Sequence, residues 1–445
     1  MNIINHICLK FNLNRRHLPK FLRIDIIINN TAIKLQSRLM IMKTVAVIGG
    51  GASGMMAALT AAENSGNKVI IFERQQRVGR KLMATGNGRC NLSNTELSIN
   101  NYHGSDPGFA AYALSCFPPE KTLEYFRRLG LLTVREAGGR VYPLSDSANS
   151  VVDMLRYACL STGIETVTSC RVEAVSRRGD GFMISAGEHS CRADRVIVAC
   201  GGMAGGKLGG VSDGYALLCS LGHSRTALMP ALVQVTTDPE YPRALKGVRA
   251  DAELKIISEG RVIAESRGEL QFTEKGISGP VTFEVSRAAA CLGERKAAAH
   301  IDFLADYPAE SVMEMLREKA AGYGMLPCEE LFTGLLHNRL GKMLIKYSGI
   351  SGGKTLAGIT EDELERAACA ARDFRLRIKG TEGFDNAQVT AGGIKTSEFD
   401  PHTLESRIVP GLFACGEVLD IDGDCGGYNL QWAWASGRLA GRLGE

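Results

Sequence analysis

The chain has 445 residues, of which 45% are apolar and 22% are charged, and its formal net charge at pH 7 is +4. These proportions are those of an ordinary globular protein with room for more than one domain, and no apolar run approaches the roughly 18 residues of a membrane-spanning helix. Residues 1–42 hold seven Lys/Arg and one acid, which leaves 45 bases and 47 acids in the rest. Because that balance gives no basic surface, we expect neither nucleic acid nor a membrane as a partner.

Residues 1–42 also differ from the rest in pattern. They mix basic residues with short apolar segments such as Ile24–Ile28 and show no sustained period. We expect an upstream extension outside the folded core, with the true start near Met40 or Met42. A disordered tail and a transit peptide are the alternatives, although serine is scarce for a transit peptide.

Thirteen cysteines are scattered along the chain without a C-x-x-C pair. This usage is typical of free thiols in a reducing compartment and argues against a disulfide framework or a zinc site. The eight histidines are isolated and lack metal-ligand spacing, so a satisfied surface or core histidine is the better interpretation of each. We therefore expect a cytoplasmic protein without a bound metal, and no motif indicates its oligomeric state.

The first predicted elements form a dinucleotide-binding fingerprint. Thr44–Ile48 is an apolar run typical of a strand buried on both faces, and Ala52–Ser65 follows it as a helix. Lys68–Phe72 is a second buried strand, which ends at Glu73. The G-x-G-x-x-G spacing between the first strand and the helix is formed by Gly49, Gly51 and Gly54. Such glycines let the backbone approach a pyrophosphate, and the acid accepts hydrogen bonds from ribose hydroxyls. A glycine turn in an unrelated α/β protein is the alternative.

The polar, glycine-rich stretch from Arg74 to Asn94 predicts a long loop. Its segment T-G-N-G-R-C-N, residues 85–91, places two glycines beside Arg89 and suits a backbone nest for an anion. Arg80 and Lys81 can add positive charge there. A plain surface loop is the alternative, and no partner cysteine lies close enough in the chain for a redox disulfide.

The next elements favour a flavin-binding version of the nucleotide fold. Pro119–Leu129 and Ser150–Leu160 are predicted helices, and Glu165–Cys191 is predicted as an antiparallel meander. Arg195–Cys200 is a further buried strand, which ends at Gly201. Flavoproteins that bind two nucleotides have a small crossover sheet at this place, whereas nicotinamide dehydrogenases use a helix. The glycines that follow do not repeat the fingerprint, so any nicotinamide must reach the flavin without a Rossmann domain of its own.

Residues 206–387 behave differently and predict an inserted domain. Val233–Val285 is rich in strand patterns, and three amphipathic helices follow, the last with a Thr360…Glu363 capping box; the predicted helices are Ala309–Gly322, Glu329–Lys346 and Thr360–Phe374. We interpret this region as a β-barrel plus a three-helix substrate domain. It interrupts a cofactor-binding domain made of residues 43–205 and 388–445. Ser351–Thr355 resembles the end of a P-loop, but it lacks the required glycine at 348 and is read as a loop.

The C-terminal segment carries a second dinucleotide-contact signature. Gly411–Cys415 is a buried strand that runs into Gly416 and Glu417, with Asp420 three residues further on. Gly427, Tyr428 and Asn429 stand at the start of a predicted helix, whose N–H groups suit a flavin ring. Structural glycines in a strand–turn–helix are the alternative for each signature alone. Only a fold that joins the two ends of the chain explains both, which predicts FAD as the cofactor.

Six blocks together resemble the BaiN/YhiN-like flavoprotein family over residues 43–445: VAVIGGGASG, GRKLMATGNGRCNLSN, GRVYPLSDSANSVVDML, GISGPVTFEVSR, QVTAGGI and GLFACGEVLDIDGDCGGYNLQWAWASG. The resemblance implies bound FAD and an α/β fold: a Rossmann-like FAD-binding domain of the two-dinucleotide flavoprotein type, interrupted by an inserted β-barrel plus helical domain. By motif match it places near the FAD the residues Ser53, Gly54, Glu73, Arg74, Lys81, Asn87, Asp420 and Gly427–Asn429. The predicted cofactor set also includes Arg89, Val172 and Gly201.

The resemblance also implies an activity. One known branch of the family reduces conjugated C=C bonds of 3-oxo-4,6-diene bile acids, and this chain looks most similar to that branch. We expect an FAD-dependent reductase that uses NADH or NADPH as a diffusible donor, passes hydride through flavin N5 and acts on a small apolar substrate. Tyr428 is the candidate proton donor. The alternatives are an amine oxidase of the aminoacetone type that uses O₂, and an RNA-modifying or non-redox flavoprotein.

Overall fold

The computed structural model describes residues 43–63, 66–187, 189–292 and 296–444. The predictions made for residues 1–42 lie outside these ranges. The strands are β1 (Thr44–Ile48), β2 (Lys68–Phe72), β3 (Ser93–Asn94), β4 (Tyr102–His103), β5 (Thr133–Arg135), β6 (Arg140–Pro143), β7 (Glu165–Val167), β8 (Ala174–Arg178), β9 (Gly181–Ala186), β10 (His189–Ala193), β11 (Arg195–Val198), β12 (Met229–Ala231), β13 (Val235–Thr237), β14 (Arg249–Ser258), β15 (Arg261–Phe272), β16 (Gly276–Ser278), β17 (Ala297–Asp302), β18 (Phe374–Thr381), β19 (Val389–Ala391), β20 (Leu412–Ala414) and β21 (Asp422–Gly423).

The α-helices are α1 (Ala52–Glu63), α2 (Arg80–Ala84), α3 (Ala111–Cys116), α4 (Pro119–Arg128), α5 (Ala148–Ser161), α6 (Asp213–Ser220), α7 (Glu240–Ala244), α8 (Pro280–Cys291), α9 (Ala309–Gly322), α10 (Asn338–Tyr347), α11 (Glu361–Arg372) and α12 (Tyr428–Ala440). In the part of the chain that the structure describes, no helix is long and apolar enough to cross a membrane.

A five-stranded parallel sheet in the order β20-β11-β1-β2-β7 forms the centre of the nucleotide-binding part. Val45 pairs with Val69 on one side and with Arg195 on the other, so β1 lies in the middle of the sheet. Its valines are fully buried, as the continuous apolar run predicts for a strand covered on both faces. The strand after the fingerprint helix and the strand near the C-terminus thus belong to one sheet.

The predicted meander is confirmed only from β8 onward. β8, β9 and β10 form the antiparallel crossover sheet, with Ala174 opposite Ser185 and Ala186 opposite His189. Glu165–Val167, predicted as the first strand of the meander, instead pairs in parallel with β2 and forms the edge of the central sheet. A three-residue strand is too short for its pattern to distinguish the two pairings.

Residues 235–381 contain a closed barrel of six strands in the order β13-β16-β15-β14-β17-β18. Its long hairpin turns at Glu259 and Gly260, both of which have positive φ, 52° and 75°, as a tight hairpin turn requires. The barrel interior and the helices α9, α10 and α11 form one apolar core, separate from that of the parallel sheet. The domain boundaries at 205/206 and 387/388 stay predictions.

Two predictions in this region are wrong. Residues 280–285, the end of the predicted strand-rich segment Val233–Val285, are the first half of helix α8; Pro280 occupies its first turn, and Gly279 precedes it with a φ of 97°. The predicted helix Glu329–Lys346 exists only from Asn338. Its first part is a short 3₁₀ turn followed by further non-helical turns, because Gly334 has a φ of 85° that breaks the helical pattern.

The long loop predicted over Arg74–Asn94 also contains regular structure. Helix α2 begins after Gly79, whose φ is 70° and whose N–H donates to the carbonyl of Gly50 at 2.8 Å. A 3₁₀ turn at Thr85–Gly88 follows, with Gly86 and Asn87 in the left-handed region. Helix α2 is too short for a helical period to be visible in the glycine-rich sequence. Its hydrogen bond to the fingerprint turn fixes where it begins.

The C-terminal helix α12 packs directly on the fingerprint helix α1. A Cβ atom at Gly437 would lie 2.4 Å from the carbonyl oxygen of Ser53, and one at Gly441 would lie 2.5 Å from that of Ala57. Small residues one helical turn apart therefore let the two backbones approach. The predicted fold class is confirmed: a Rossmann-like domain of the two-dinucleotide flavoprotein type, interrupted by an inserted β-barrel and helical part.

Candidate functional site

The fingerprint turn has the geometry that its glycines predict. Gly49 has a φ of 107°, and a Cβ atom there would lie 2.4 Å from the carbonyl oxygen of Ala199. A Cβ atom at Gly54 would lie 1.9 Å from the carbonyl oxygen of Gly49, so this glycine lets α1 pack against the turn. No heavy atom lies within 4 Å of a Cβ built at Gly51. The turn thus presents free space to a ligand at its middle glycine, where a pyrophosphate is expected.

Glu73 lies at the carboxyl end of β2, beside this turn. One carboxylate oxygen accepts from the N–H of Gly50 at 2.8 Å, and the other accepts from the N–H of Gln75 at 2.7 Å. Burial raises the pKa of Glu73 above its ordinary value, and these two hydrogen bonds reduce the rise without cancelling it. A carboxylate has about four acceptor positions, so capacity for two ribose hydroxyls remains.

Two predicted residues that stand far apart in the sequence form an ion pair. The ammonium group of Lys81 lies 2.7 Å from Oε2 of Glu417, and Oε1 of Glu417 accepts from the N–H of Thr390 at 2.8 Å. The adjacent Gly416 has a φ of 74°, and a Cβ atom there would lie 2.5 Å from Oγ of Ser53. The structure therefore brings the first and second signatures together.

Arg74 belongs to an ion-pair cluster that the sequence analysis missed. Its guanidinium lies 3.4 Å from Oδ2 of Asp213, and Arg171 donates one hydrogen bond of 2.9 Å to each oxygen of the same carboxylate. Asp213 is the first residue of α6, where a negative charge suits the helix dipole. The available signal was Ser212 followed directly by an acid, a pattern typical of a helix start.

Asn87 and Arg89 lie in the turn that follows α2. Asn87 adopts a left-handed conformation with a φ of 56°. The guanidinium of Arg89 pairs with Glu136 and Asp146 and lies 4.1 Å from the ring centroid of Tyr142. The positive charge of Arg89 is thus already neutralised, and its contact with a cofactor stays a prediction.

Val172 and Gly201 lie near the carboxyl ends of the central strands. Val172 is buried two residues after Cys170, whose N–H donates to the carbonyl of Glu73 at 2.9 Å. Gly201 follows β11 with a φ of 71°, and no heavy atom lies within 4 Å of a Cβ built there. Both positions lie beside the carboxyl ends of the parallel strands, where α/β folds bind ligands.

Asp420 and Asn429, the residues predicted to contact the cofactor in the C-terminal segment, hydrogen-bond to neighbouring loop residues. Oδ2 of Asp420 accepts from both the N–H and the hydroxyl of Ser105, at 3.1 and 2.6 Å. The side-chain amide of Asn429 bonds the N–H and the carbonyl of Gly423 at 2.9 and 2.7 Å. Tyr428 is buried, and its backbone carbonyl accepts from the hydroxyl of Tyr102.

A further group of charged residues beside this segment was missed by the sequence analysis. His103 lies 2.7 Å from Oδ1 of Asp424, which raises the pKa of the imidazole. Arg287 of α8 lies 2.9 Å from Oδ2 of Asp422, whose side chain is only 1% exposed. These pairs join residues more than 130 positions apart, and no spacing in the sequence indicates them.

Three buried polar atoms have no hydrogen-bond partner among the described residues: Oδ1 of Asn91, the hydroxyl of Tyr215 and Oδ1 of Asp422. Oδ1 of Asn91 is 2.8 Å from the Cβ position of Gly427, and the charge of Glu417 acts on Tyr215. Unsatisfied buried polar atoms are rare in folded proteins. Together with the free space at Gly51, they fit a large polar ligand that reaches from the first signature to the second, as FAD would.

Ser406, His223 and Glu398 have the spacing of a hydrolase triad but not its environment. Nε2 of His223 lies 2.9 Å from Oγ of Ser406, and Nδ1 lies 3.0 Å from Glu398. Both contacts are internal: the imidazole ring stacks on Phe399, and Oγ of Ser406 already accepts the N–H groups of Ile408 and Val409. The group is therefore structural, as predicted for an isolated histidine. Among the described residues, no group of three or more His, Cys, Asp or Glu could hold a metal ion.

The parallel sheet, the glycine fingerprint and the second signature define a dinucleotide-binding protein of the Rossmann flavoprotein class. A family model described as "HI0933-like protein Rossmann domain" matches residues 43–443, and the chain belongs to this family. The family resemblance read from the motifs is thereby confirmed.

Two curated relatives and one solved structure are similar to the chain. It is 41% identical to the 3-dehydro-bile acid delta(4,6)-reductase of Clostridium scindens, over 90% of this chain and 98% of that protein. It is 28% identical to the ribosomal RNA dihydrouridine synthase of Escherichia coli, over 88% and 95% of the two chains. The structure of the 3-ketosteroid delta1-dehydrogenase from Sterolibacterium denitrificans covers 90% of this chain and 99% of its own, with 13% identity and a TM-score of 0.47.

Proposed function

We propose that the chain is an FAD-dependent oxidoreductase that uses NADH to reduce a C=C bond conjugated with a ketone, in a flat apolar substrate of the 3-oxo-4,6-diene bile-acid type. The observation that carries this proposal is the 41% identity, along almost the full length of both chains, to a protein named a bile-acid delta(4,6)-reductase. When bound, FAD supplies the two-electron chemistry that protein side chains lack. The described cysteines are all free, which supports a location in the reducing cytoplasm.

The proposed roles of the chain's own residues follow from their positions. The backbone around Gly51 would hold the pyrophosphate, and Glu73 would bind the adenosine ribose. The Lys81–Glu417 pair would lie between the two halves of the site. Tyr428, at the start of α12, would donate a hydrogen bond to the substrate ketone, because burial and nearby negative charges raise its pKa and keep the hydroxyl protonated.

The test begins with the absorption spectrum of the purified protein, in which flavin bands and FAD released on denaturation are expected. The protein is then mixed anaerobically with NADH or NADPH and a 3-oxo-4,6-diene steroid. We expect the flavin to bleach with the donor and to recover its colour as the diene is reduced. A reducible FAD that leaves the steroid unchanged would overturn the substrate proposal alone. Peroxide release from aminoacetone in air, without a nicotinamide, would favour the amine oxidase alternative.

A second candidate function is the reduction of uridine in ribosomal RNA. It is favoured by the 28% identity to a ribosomal RNA dihydrouridine synthase over 95% of that protein. Dihydrouridine is uridine with two hydrogens added to a C=C bond conjugated with a carbonyl, so the two candidates share one chemistry. The near-neutral charge of residues 43–445 argues for the small substrate. Dihydrouridine formed in ribosomal RNA fragments, with the steroid unchanged, would reverse this order.

A further inference from the structure

Helix α8 of the barrel faces the C-terminal segment through charged side chains. Glu284 and Arg287 stand three residues apart and so lie on the same face of the helix. Arg287 is fixed there by its 2.9 Å contact with the buried carboxylate of Asp422. This contact directs the face that carries Glu284 toward residues 422–428, the segment that we propose to hold the flavin ring.

Glu284 is exposed to solvent and stands beside a cluster of titratable groups. Charges on three neighbouring elements act on its carboxyl or are acted on by it: Asp424, Cys425 and Tyr428 of the C-terminal segment, His103 of β4 and Arg140 of β6. Two of these groups are fixed by a short contact, because His103 lies 2.7 Å from Oδ1 of Asp424. The exposed carboxyl of Glu284 is therefore open to a substrate that is bound beside residues 422–428.

We propose that Glu284 is a catalytic acid, which gives the substrate the proton that completes reduction of the conjugated C=C bond. The inference rests on the proposed function. In the step, the π bond is replaced by two C–H bonds: one hydrogen arrives as a hydride that originates from NADH, and the other arrives as the proton of the Glu284 carboxyl. Glu284 is left as a carboxylate and regains a proton from solvent.

The titration of Glu284 suits this role better than that of Tyr428. The surrounding protein removes part of the water around this exposed carboxyl and raises its pKa to about 7; the negative charge of Asp424 adds to this effect, and His103 and Arg140 oppose it. A general acid is most effective when its pKa lies near the working pH. The pKa of the Tyr428 hydroxyl is raised above its ordinary value by burial, so Tyr428 is suited to hydrogen bonding and not to proton release.

The principal test is Glu284→Gln, which keeps the shape of the side chain but removes the acid. We expect FAD content and flavin bleaching by NADH to stay unchanged, and recolouring by the diene to slow by about 100-fold or more, the usual contribution of a general acid. Wild-type recolouring should slow as pH rises through about 7, whereas the variant should show no such dependence. Glu318→Gln, at an exposed position of α9, is the matched control. Recolouring of E284Q within threefold of wild type, with the same pH profile, would overturn the proposal.

Two measurements separate this inference from the proposed function. Infrared difference spectra of wild type minus E284Q report the C=O band of the protonated Glu284 carboxyl without any substrate. We expect that band to disappear as the pH is raised through about 7. A band already lost at pH 5 overturns the role of Glu284, whatever the substrate. If wild-type flavin is not recoloured by any diene or by uridine-containing RNA, the proposed function fails instead. His103→Gln removes a charge that lowers the Glu284 pKa. We therefore expect the loss of activity in this variant to begin at a higher pH than in wild type.

Discussion

Gly51 and Gly54 stand three residues apart in one turn, yet a methyl group meets different surroundings at the two positions. At Gly54 it would overlap the carbonyl oxygen of Gly49, which belongs to the backbone and cannot rotate away. We expect Gly54→Ala to lower the free energy of unfolding of the FAD-free protein by about 2 kcal/mol or more. Urea unfolding followed by tryptophan fluorescence measures this change.

Gly51→Ala is the matched variant, because its methyl group would meet no protein atom. We expect it to cost at most about 1 kcal/mol, the effect of alanine at a helix N-cap. It should nevertheless weaken FAD retention at least tenfold, since the methyl group fills space that we assign to the pyrophosphate. Equal stability of the two variants would contradict the packing argument, and full FAD retention by G51A would contradict the assignment of the turn.

The placement of single residues was predictable where it depends on local structure. Gly49, Gly51, Gly54 and Glu73 follow from a spacing of fixed length, because one turn and one βαβ unit determine all four. Asp213 and His103 were not predictable, since their partners lie 139 and 321 positions away. For such pairs the three-dimensional fold, and not the neighbouring sequence, decides which charges meet.

Elements were predictable where length and period agreed. The strands β1 and β2 and the helix α4 were found almost to the residue, since each has a clear apolar pattern. Helix α8 was missed because its first half, P-V-T-F-E-V, is rich in β-branched and aromatic residues that favour strands. Packing against the barrel overrides this preference, and proline in the first turn begins the helix.

The connection between β19 and β20 packs on the end of α6 through His223. Oγ of Ser406 accepts two backbone N–H groups, so its own hydrogen donates to Nε2, and Nδ1 donates to Glu398. Burial lowers the pKa of His223, whereas the unfolded chain has a value near 6.5. The unfolded state therefore binds the proton first as pH falls. We expect stability to be complete above about pH 6.5 and to decline below it, by at most about 1.4 kcal/mol per pH unit.

Urea unfolding between pH 5 and pH 8 measures this dependence. His223→Gln should be less stable than wild type at pH 8 and should lose part of the pH dependence below 6.5. His402→Gln changes an exposed histidine and serves as the control. An H223Q curve parallel to that of wild type over the whole range would show that His223 does not cause the acid sensitivity.

On the scale of the whole molecule, the most informative feature of the sequence was the distance between the two signatures, because it predicted the topology of the central sheet. A fold that joins residues 49–73 with residues 416–429 had to return to its first sheet, and β20 does so beside β11. The charge pattern predicted a near-neutral body, but it could not predict which opposite charges join the barrel part to the nucleotide-binding part. The Arg287–Asp422 pair is such a contact, because α8 belongs to the barrel and β21 lies on the other side.

This pair allows a test of the connection between the two parts. Arg287→Met leaves the carboxylate of Asp422 buried and without its counter-charge, so we expect the protein to lose about 3 kcal/mol of stability at pH 8. Burial raises the pKa of Asp422 and Arg287 lowers it, so the variant should bind a proton and the loss should shrink at acidic pH. Asp422→Asn in the same chain should restore most of the loss. Arg317→Met removes an exposed pair with Glu361 and should cost less than about 1 kcal/mol. If R287M were no more costly than R317M, the buried pair would contribute nothing to joining the barrel to the nucleotide-binding part.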